Sequence, residues 1–186
     1  YGLKDFVTLR RLNFFSILGV VSILLTGGIS LMELDPVYIA IKEATIPAIF
    51  GLATIVSLKT PYPLVKTFLY NDKILQTDRI AEALEGNGNN KSFEKCLANA
   101  SWLVAGSFFL SSILNYILAT VLITSQPGTV EFNEQLGKMT ALSFPVIAIP
   151  AMLVLVGALF YLFRGVTKLT GLKLEEVIHH HDKHKE

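Results

Sequence analysis

Residues 96–130 read CLANASWLVAGSFFLSSILNYILATVLITSQPGTV, 35 positions without one Asp, Glu, Lys or Arg. A bilayer core about 30 Å thick needs roughly 20 apolar helical residues to cross it, so this stretch alone is long enough to span a membrane. Three further gaps between charges extend the pattern. Asn13 to Met32 is uncharged for 20 residues and Met139 to Phe163 for 25. Pro36 to Leu58 is interrupted only by Lys42 and Glu43, which leaves 15 uncharged residues from Ala44 to Leu58. The expected fold is therefore all-α: a polytopic transmembrane helix bundle forming a single membrane domain. Its four spans lie near residues 13–33, 36–58, 97–123 and 139–163, with an amphipathic cytoplasmic loop over 59–95 and a tail over 165–186.

Composition agrees. Of 186 residues, 52% are hydrophobic and 17% charged, and the mean hydropathy of +0.52 is far above that of an ordinary soluble domain. A formal charge of +1 gives no basic excess for nucleic acid and no acidic excess for a solvating tail. The single cysteine, Cys96, excludes an internal disulfide or a Cys-rich metal site. Lys4, Arg10 and Arg11 ahead of an apolar run could also describe a signal peptide. The run is too long for an h-region of about 7–15 residues, however, and Leu31-Met32-Glu33-Leu34-Asp35-Pro36 offers no small-x-small cleavage site.

Basic residues in short loops are retained on the cytoplasmic side. Lys4, Arg10 and Arg11 precede the first span; Lys59, Lys66, Lys73, Arg79, Lys91 and Lys95 fall between spans two and three; Arg164, Lys168, Lys173, Lys183 and Lys185 follow span four. These are fourteen of the sixteen Lys and Arg, so both ends of the chain are expected to face the cytoplasm. The outer loops are short and acidic. Asp35-Pro36 reads as an N-cap followed by proline at the first helical position. From Thr124 to Lys138, Pro127-Gly128 marks a turn ahead of Glu131 and Glu134.

In the inner loop, Pro61 and Pro63 end the second helix, and Leu64, Val65, Phe68 and Leu69 recur at helical spacing with Lys66 and Lys73. Ile80, Ala81 and Leu84 form a second amphipathic piece, stopped at Gly86-Asn87-Gly88-Asn89-Asn90. The loop is expected on the inner leaflet, the alternative being a helical hairpin that touches lipid casually. Ser92 is expected to cap the third span, with Glu94 in its first turn.

Ionisable groups inside a membrane are costly, which makes Lys42 and Glu43 the leading functional candidates. Adjacent helical positions lie about 100° apart, so the two are expected on different faces: a polar site or packing ion pair, or two side chains snorkelling to headgroups. Ser111, Ser112 and Asn115, with Ser107 and Gly106, put hydroxyls and an amide mid-span, suited to helix packing or to a polar lining for a solute. Pro47, Pro145 and Pro150 interrupt spans two and four and free backbone carbonyls, as helix breaks at transporter sites do. The two hairpins also resemble each other faintly, a lysine (Lys42 or Lys138) preceding a proline (Pro47 or Pro145) in each.

His180 and His184 in the tail stand at i, i+4, but nothing closes a coordination set, so no metal is expected. No P-loop, dinucleotide glycine pattern, zinc-protease motif or nucleophile elbow occurs; no enzyme and no cofactor are expected.

The segment Ala40-Ile41-Lys42-Glu43-Ala44-Thr45-Ile46-Pro47, continuing through Ser57-Leu58-Lys59-Thr60-Pro61-Tyr62-Pro63-Leu64-Val65-Lys66, resembles the Lys-bearing span and following Pro-Leu segment of the bacterial intracellular septation protein A family. Trp102 to Asn115, Phe132-Asn133 and the run ending Tyr161-Leu162-Phe163-Arg164 are similar to the end of that family, whereas the second outer loop and the His-rich tail depart from it. The resemblance implies a multi-pass protein of the bacterial inner membrane. Family members have more spans than four, so Tyr1 is expected to begin within a chain whose first helices are absent. It also implies a cell-envelope role through contacts with other membrane proteins, and brings no catalytic residues. Two functions are expected from these readings: a scaffold or accessory subunit whose partners are the bilayer and other membrane proteins or its own copies, or a small-solute or ion transporter.

Overall fold

Helix formation follows directly from the apolar runs, since a backbone without water can satisfy its polar groups only internally. The computed structural model describes residues 14–61, 63–70 and 75–177, which form helices α1 (Phe14–Leu31), α2 (Val37–Ser57), α3 (Leu64–Leu69), α4 (Thr77–Gly86), α5 (Asn90–Leu122), α6 (Val130–Ser143), a π-turn (Phe144–Ala148), α7 (Ile149–Thr170) and α8 (Leu174–Val177). No strand occurs among the described residues. Lys4, Arg10, Arg11, Lys73 and the histidine tail lie outside them, as do the side chains of Phe68 and Leu69.

Among the described residues three helical stretches are long and apolar enough to cross a membrane: Val37–Ser57, Asn90–Leu122 and Val130–Thr170. Gly19–Ile29 of α1 is a shorter apolar helix. The most apolar window of each long stretch is only 22%, 22% and 17% buried inside the protein. Ile49, Leu52 and Val56 on α2 and Met152, Leu153, Val156 and Phe160 on α7 point outward. Water does not tolerate apolar surface on that scale and a bilayer does: this is a membrane protein by its surface as well as its composition.

The first two helices match the expected spans to within two residues, but the later ones run past them. α5 begins at Asn90 rather than near 97, and helix already resumes at Val130 where a loop to Lys138 was expected. Charges mark where apolar surface stops, not where helix stops. Thr129 caps α6 by accepting the Phe132 N–H (3.2 Å), and Glu131 suits its first turn. Ser92 accordingly lies inside α5 and is not its cap.

The chain divides into two compact units, Tyr1–Ile46 with Ser112–Ile147, and Pro47–Ser111 with Ala148–Glu186. In the first, Ile29, Ile39, Leu118, Ile123, Phe132, Met139 and Ile147 pack around Ala40 and Ala119. α1 closes with Glu33 at φ 52°, the Leu34 N–H returning to the Ile29 carbonyl (3.1 Å). Asp35 then caps α2 as expected, Oδ1 accepting the Val37 N–H at 2.8 Å. Gln135 ties off the turn after α5: its Oε1 accepts the N–H groups of Thr124 and Ser125 (3.0 Å each) and its Nε2 donates to both hydroxyls.

In the second unit the 59–95 loop folds onto protein. Val65, Leu75, Ile80 and Leu84 join Phe93, Leu97, Leu162, Val166 and Val177 in one core, so Ile80 and Leu84 of α4 face inward and are buried, whereas Ala81 is exposed. The Gln76 N–H donates to the Val177 carbonyl (2.9 Å), and Arg79 meets Glu176 at 3.4 Å. Asn87 and Asn89 donate side-chain N–H groups to the last carbonyls of α7, Thr170 (3.0 Å) and Leu169 (2.8 Å). The glycine-asparagine break is thus itself a helix cap.

Candidate functional site

Lys42 sits on α2 about two turns beyond the Asp35 cap. Its ammonium is drawn back to its own neighbour, Nζ to Glu43 Oε1 at 2.6 Å. It also donates to Thr26 Oγ1 at 2.7 Å and, more weakly, to Ser22 Oγ at 3.4 Å, both on α1. The Thr26 hydroxyl has its own proton committed to the Ser22 carbonyl (3.0 Å), which orients its lone pairs toward the lysine. Three acceptors thus meet the three N–H donors of one ammonium.

Two expectations change here. Lys42 and Glu43 were expected on different faces; their backbones are, but long flexible side chains close the 100° gap. Nor do both snorkel outward: the Lys42 side chain is 9% exposed and that of Glu43 31%. The pair is a packing ion pair, net neutral, which lowers the cost of placing either charge in lipid. Ser22 and Thr26 complete the cluster from α1. Their signal was present: two hydroxyls at i, i+4 on an otherwise apolar helix define a polar stripe, which needs a partner.

Pro47 removes the N–H that would pair with the Glu43 carbonyl, and its ring crowds that turn. The next carbonyl along, Ala44, accepts a hydrogen bond from the Ser112 hydroxyl at 2.7 Å. Ser112 therefore belongs with the α2 break, as a bond between α2 and α5. Ser111 and Asn115, on the same helix, are half-buried. Ser107 donates to the Val104 carbonyl one turn back (2.7 Å), a bond within its own helix.

Pro145 lies in the π-turn and Pro150 is the second residue of α7. The widened turn gives room where the Pro150 ring would press on the Val146 carbonyl, so the two prolines and the turn form one backbone feature. The faint likeness between hairpins does not extend to the lysines: Lys138 is exposed on α6, whereas Lys42 is tucked against hydroxyls.

Among the described residues no group of three His, Cys, Asp or Glu could hold a metal ion. What the Lys42 cluster does chemically is hold α1 to α2 by directional bonds in a medium where apolar packing gives helices little preference for one another over lipid. No protein-family model matches the chain, and neither a curated protein nor a solved structure does.

Proposed function

We propose that this protein is an integral-membrane scaffold or accessory subunit of the bacterial cell envelope, acting through helix-helix contacts with other membrane proteins or with its own copies. The observation that carries this reading is the saturation of Lys42. With Glu43, Thr26 and Ser22 around it, the most costly charge in the spans is a fastener between two helices. The outward apolar faces of α2, α5 and α7 offer partner surface within the bilayer.

The topology that goes with it has four spans, α1 included, in the cytoplasmic membrane. Both ends and the 59–95 segment face the cytoplasm, the latter at the inner leaflet. Support comes from the placement of fourteen of the sixteen Lys and Arg. The second reading, a small-solute or ion transporter, draws on the π-turn beside Pro145 and Pro150, because such turns often occur where helices serve a site.

Flux measurements separate the two. In reconstituted liposomes, proton and alkali-cation flux through the wild type is expected to equal that of protein-free vesicles, with Lys42→Ala and Asn115→Ala no different. Wild-type flux above background that either substitution abolishes would overturn the scaffold reading and establish transport.

A further inference from the structure

Within the second unit, α5 and α7 line an open groove of about 420 Å³. Ser92, Lys95 and Asn99 line it from α5, and Tyr161, Arg164 and Lys168 from α7. Both sets fall on one helical face, at i, i+3 or i+4, and i+7, so the two stripes converge. Three of the lining side chains are cations and none is a carboxylate.

That charge is uncompensated. Among the described residues Lys95, Arg164 and Lys168 make no ion pair. Glu94, beside Lys95 in sequence, is engaged elsewhere, bonded to Lys66 at 2.8 Å. Asn99 on α5 donates to the Tyr161 hydroxyl on α7 at 3.0 Å, an exposed bond that ties the two walls of the groove together.

Position narrows the ligand. Lys95 is the last charge before the uncharged run 96–130, and Arg164 is the first after the run 139–163. The groove therefore stands where both apolar runs end, which in a chain that crosses a bilayer is the level of the headgroups. We infer that this groove binds the phosphate of an anionic phospholipid from the leaflet on the basic side of the membrane. Arg164 offers a planar fork for two phosphate oxygens, while Lys95 and Lys168 supply point charges and Ser92 a hydroxyl. The inference rests on membrane insertion and not on the scaffold role.

The test uses the full chain. Flotation with phosphatidylcholine vesicles reports insertion, and native mass spectrometry from detergent reports lipid retention with phosphatidylglycerol or phosphatidylcholine added. Wild type is expected to retain phosphatidylglycerol preferentially, with retention falling about fivefold for each cation neutralised in Lys95→Gln, Arg164→Gln and Lys168→Gln. Lys91→Gln and Lys173→Gln, which neutralise exposed cations outside the lining, leave it unchanged, and the exchanges Lys95→Arg and Lys168→Arg restore what the Gln variants lose. Equal retention by wild type and the triple Gln variant would overturn the site. Displacement of phosphatidylglycerol by millimolar inorganic phosphate would overturn the lipid in favour of a soluble phosphate ligand. Failure of the wild type to float would overturn membrane insertion, and the site with it.

Discussion

Lys42 and Glu43 are neighbours whose backbone directions diverge, and they pair because a lysine stem is long enough to fold back over its own helix. The pair matters for stability in a specific way. Breaking a buried pair from one side leaves an uncompensated charge, whereas replacing both partners with apolar groups is often neutral. Glu43→Gln is therefore expected to cost about 2–3 kcal/mol, reduced from the fully buried case because its side chain is about one-third exposed. Lys42→Met with Glu43→Leu is expected to cost less than Glu43→Gln alone. Denaturant unfolding in detergent measures both, and the reverse ordering would remove the ion pair from its structural role. Glu33 supplies a second residue-scale expectation. At φ 52° it occupies the left-handed region at the end of α1, where a side chain is strained. Glu33→Gly is expected to stabilise the protein by about 0.5–1 kcal/mol, the relief of strain exceeding the extra backbone entropy glycine brings to the unfolded chain. A fall in melting temperature would count against that account.

At the scale of elements, the contact between α5 and α7 turns on Gly165. A methyl group there would run into the Cys96 sulfur, so glycine is what allows the two helices to approach. Gly165→Ala is expected to cost about 1–3 kcal/mol by overpacking. Adding Cys96→Ala is expected to recover most of that loss, a coupling that a double-mutant cycle in detergent detects; additive losses would place the strain elsewhere. The end of α7 depends on a different device. Gly171 closes it in the left-handed conformation at φ 76°, while Asn89 bonds the Leu169 carbonyl. Asn89→Ala is expected to cost about 1 kcal/mol, read as a lower melting temperature. Neither contact was legible from sequence. The run Gly86-Asn87-Gly88-Asn89-Asn90 announces a break, but which carbonyls its amides meet depends on α7, some 80 residues away. Ile80 and Leu84 likewise announced an amphipathic helix without saying whether protein or lipid would cover them, and protein does.

For the molecule as a whole, the asymmetry of charge predicts which loops a reagent can reach. Native Cys96 is buried, so labelling of introduced cysteines carries little background. Glu131→Cys, exposed on α6, is expected to react with a membrane-impermeant maleimide on intact cells from which any outer membrane has been removed. Lys91→Cys, exposed at the start of α5, is expected to react only after lysis. Labelling of Lys91→Cys before lysis would reverse the topology, and equal labelling of both would abolish the membrane assignment on which the proposed function stands.

Chain order alone determined the medium and the number of apolar runs, because the cost of burying charge in lipid acts on composition within about 20 residues and needs no neighbours. It also located the acidic cap at Asp35 and the turn at Pro127-Gly128, both of which are local effects. Tertiary structure alone decided that Lys42 answers to Ser22 and Thr26, that Ser112 serves the carbonyl beside the Pro47 break, and that Lys95, Arg164 and Lys168 line one groove. The physical reason is that hydrogen bonds and electrostatic convergence depend on distances of a few ångströms between helices remote in sequence. Hydropathy marks which helical stretches can cross a membrane but does not say which face of one meets which face of another.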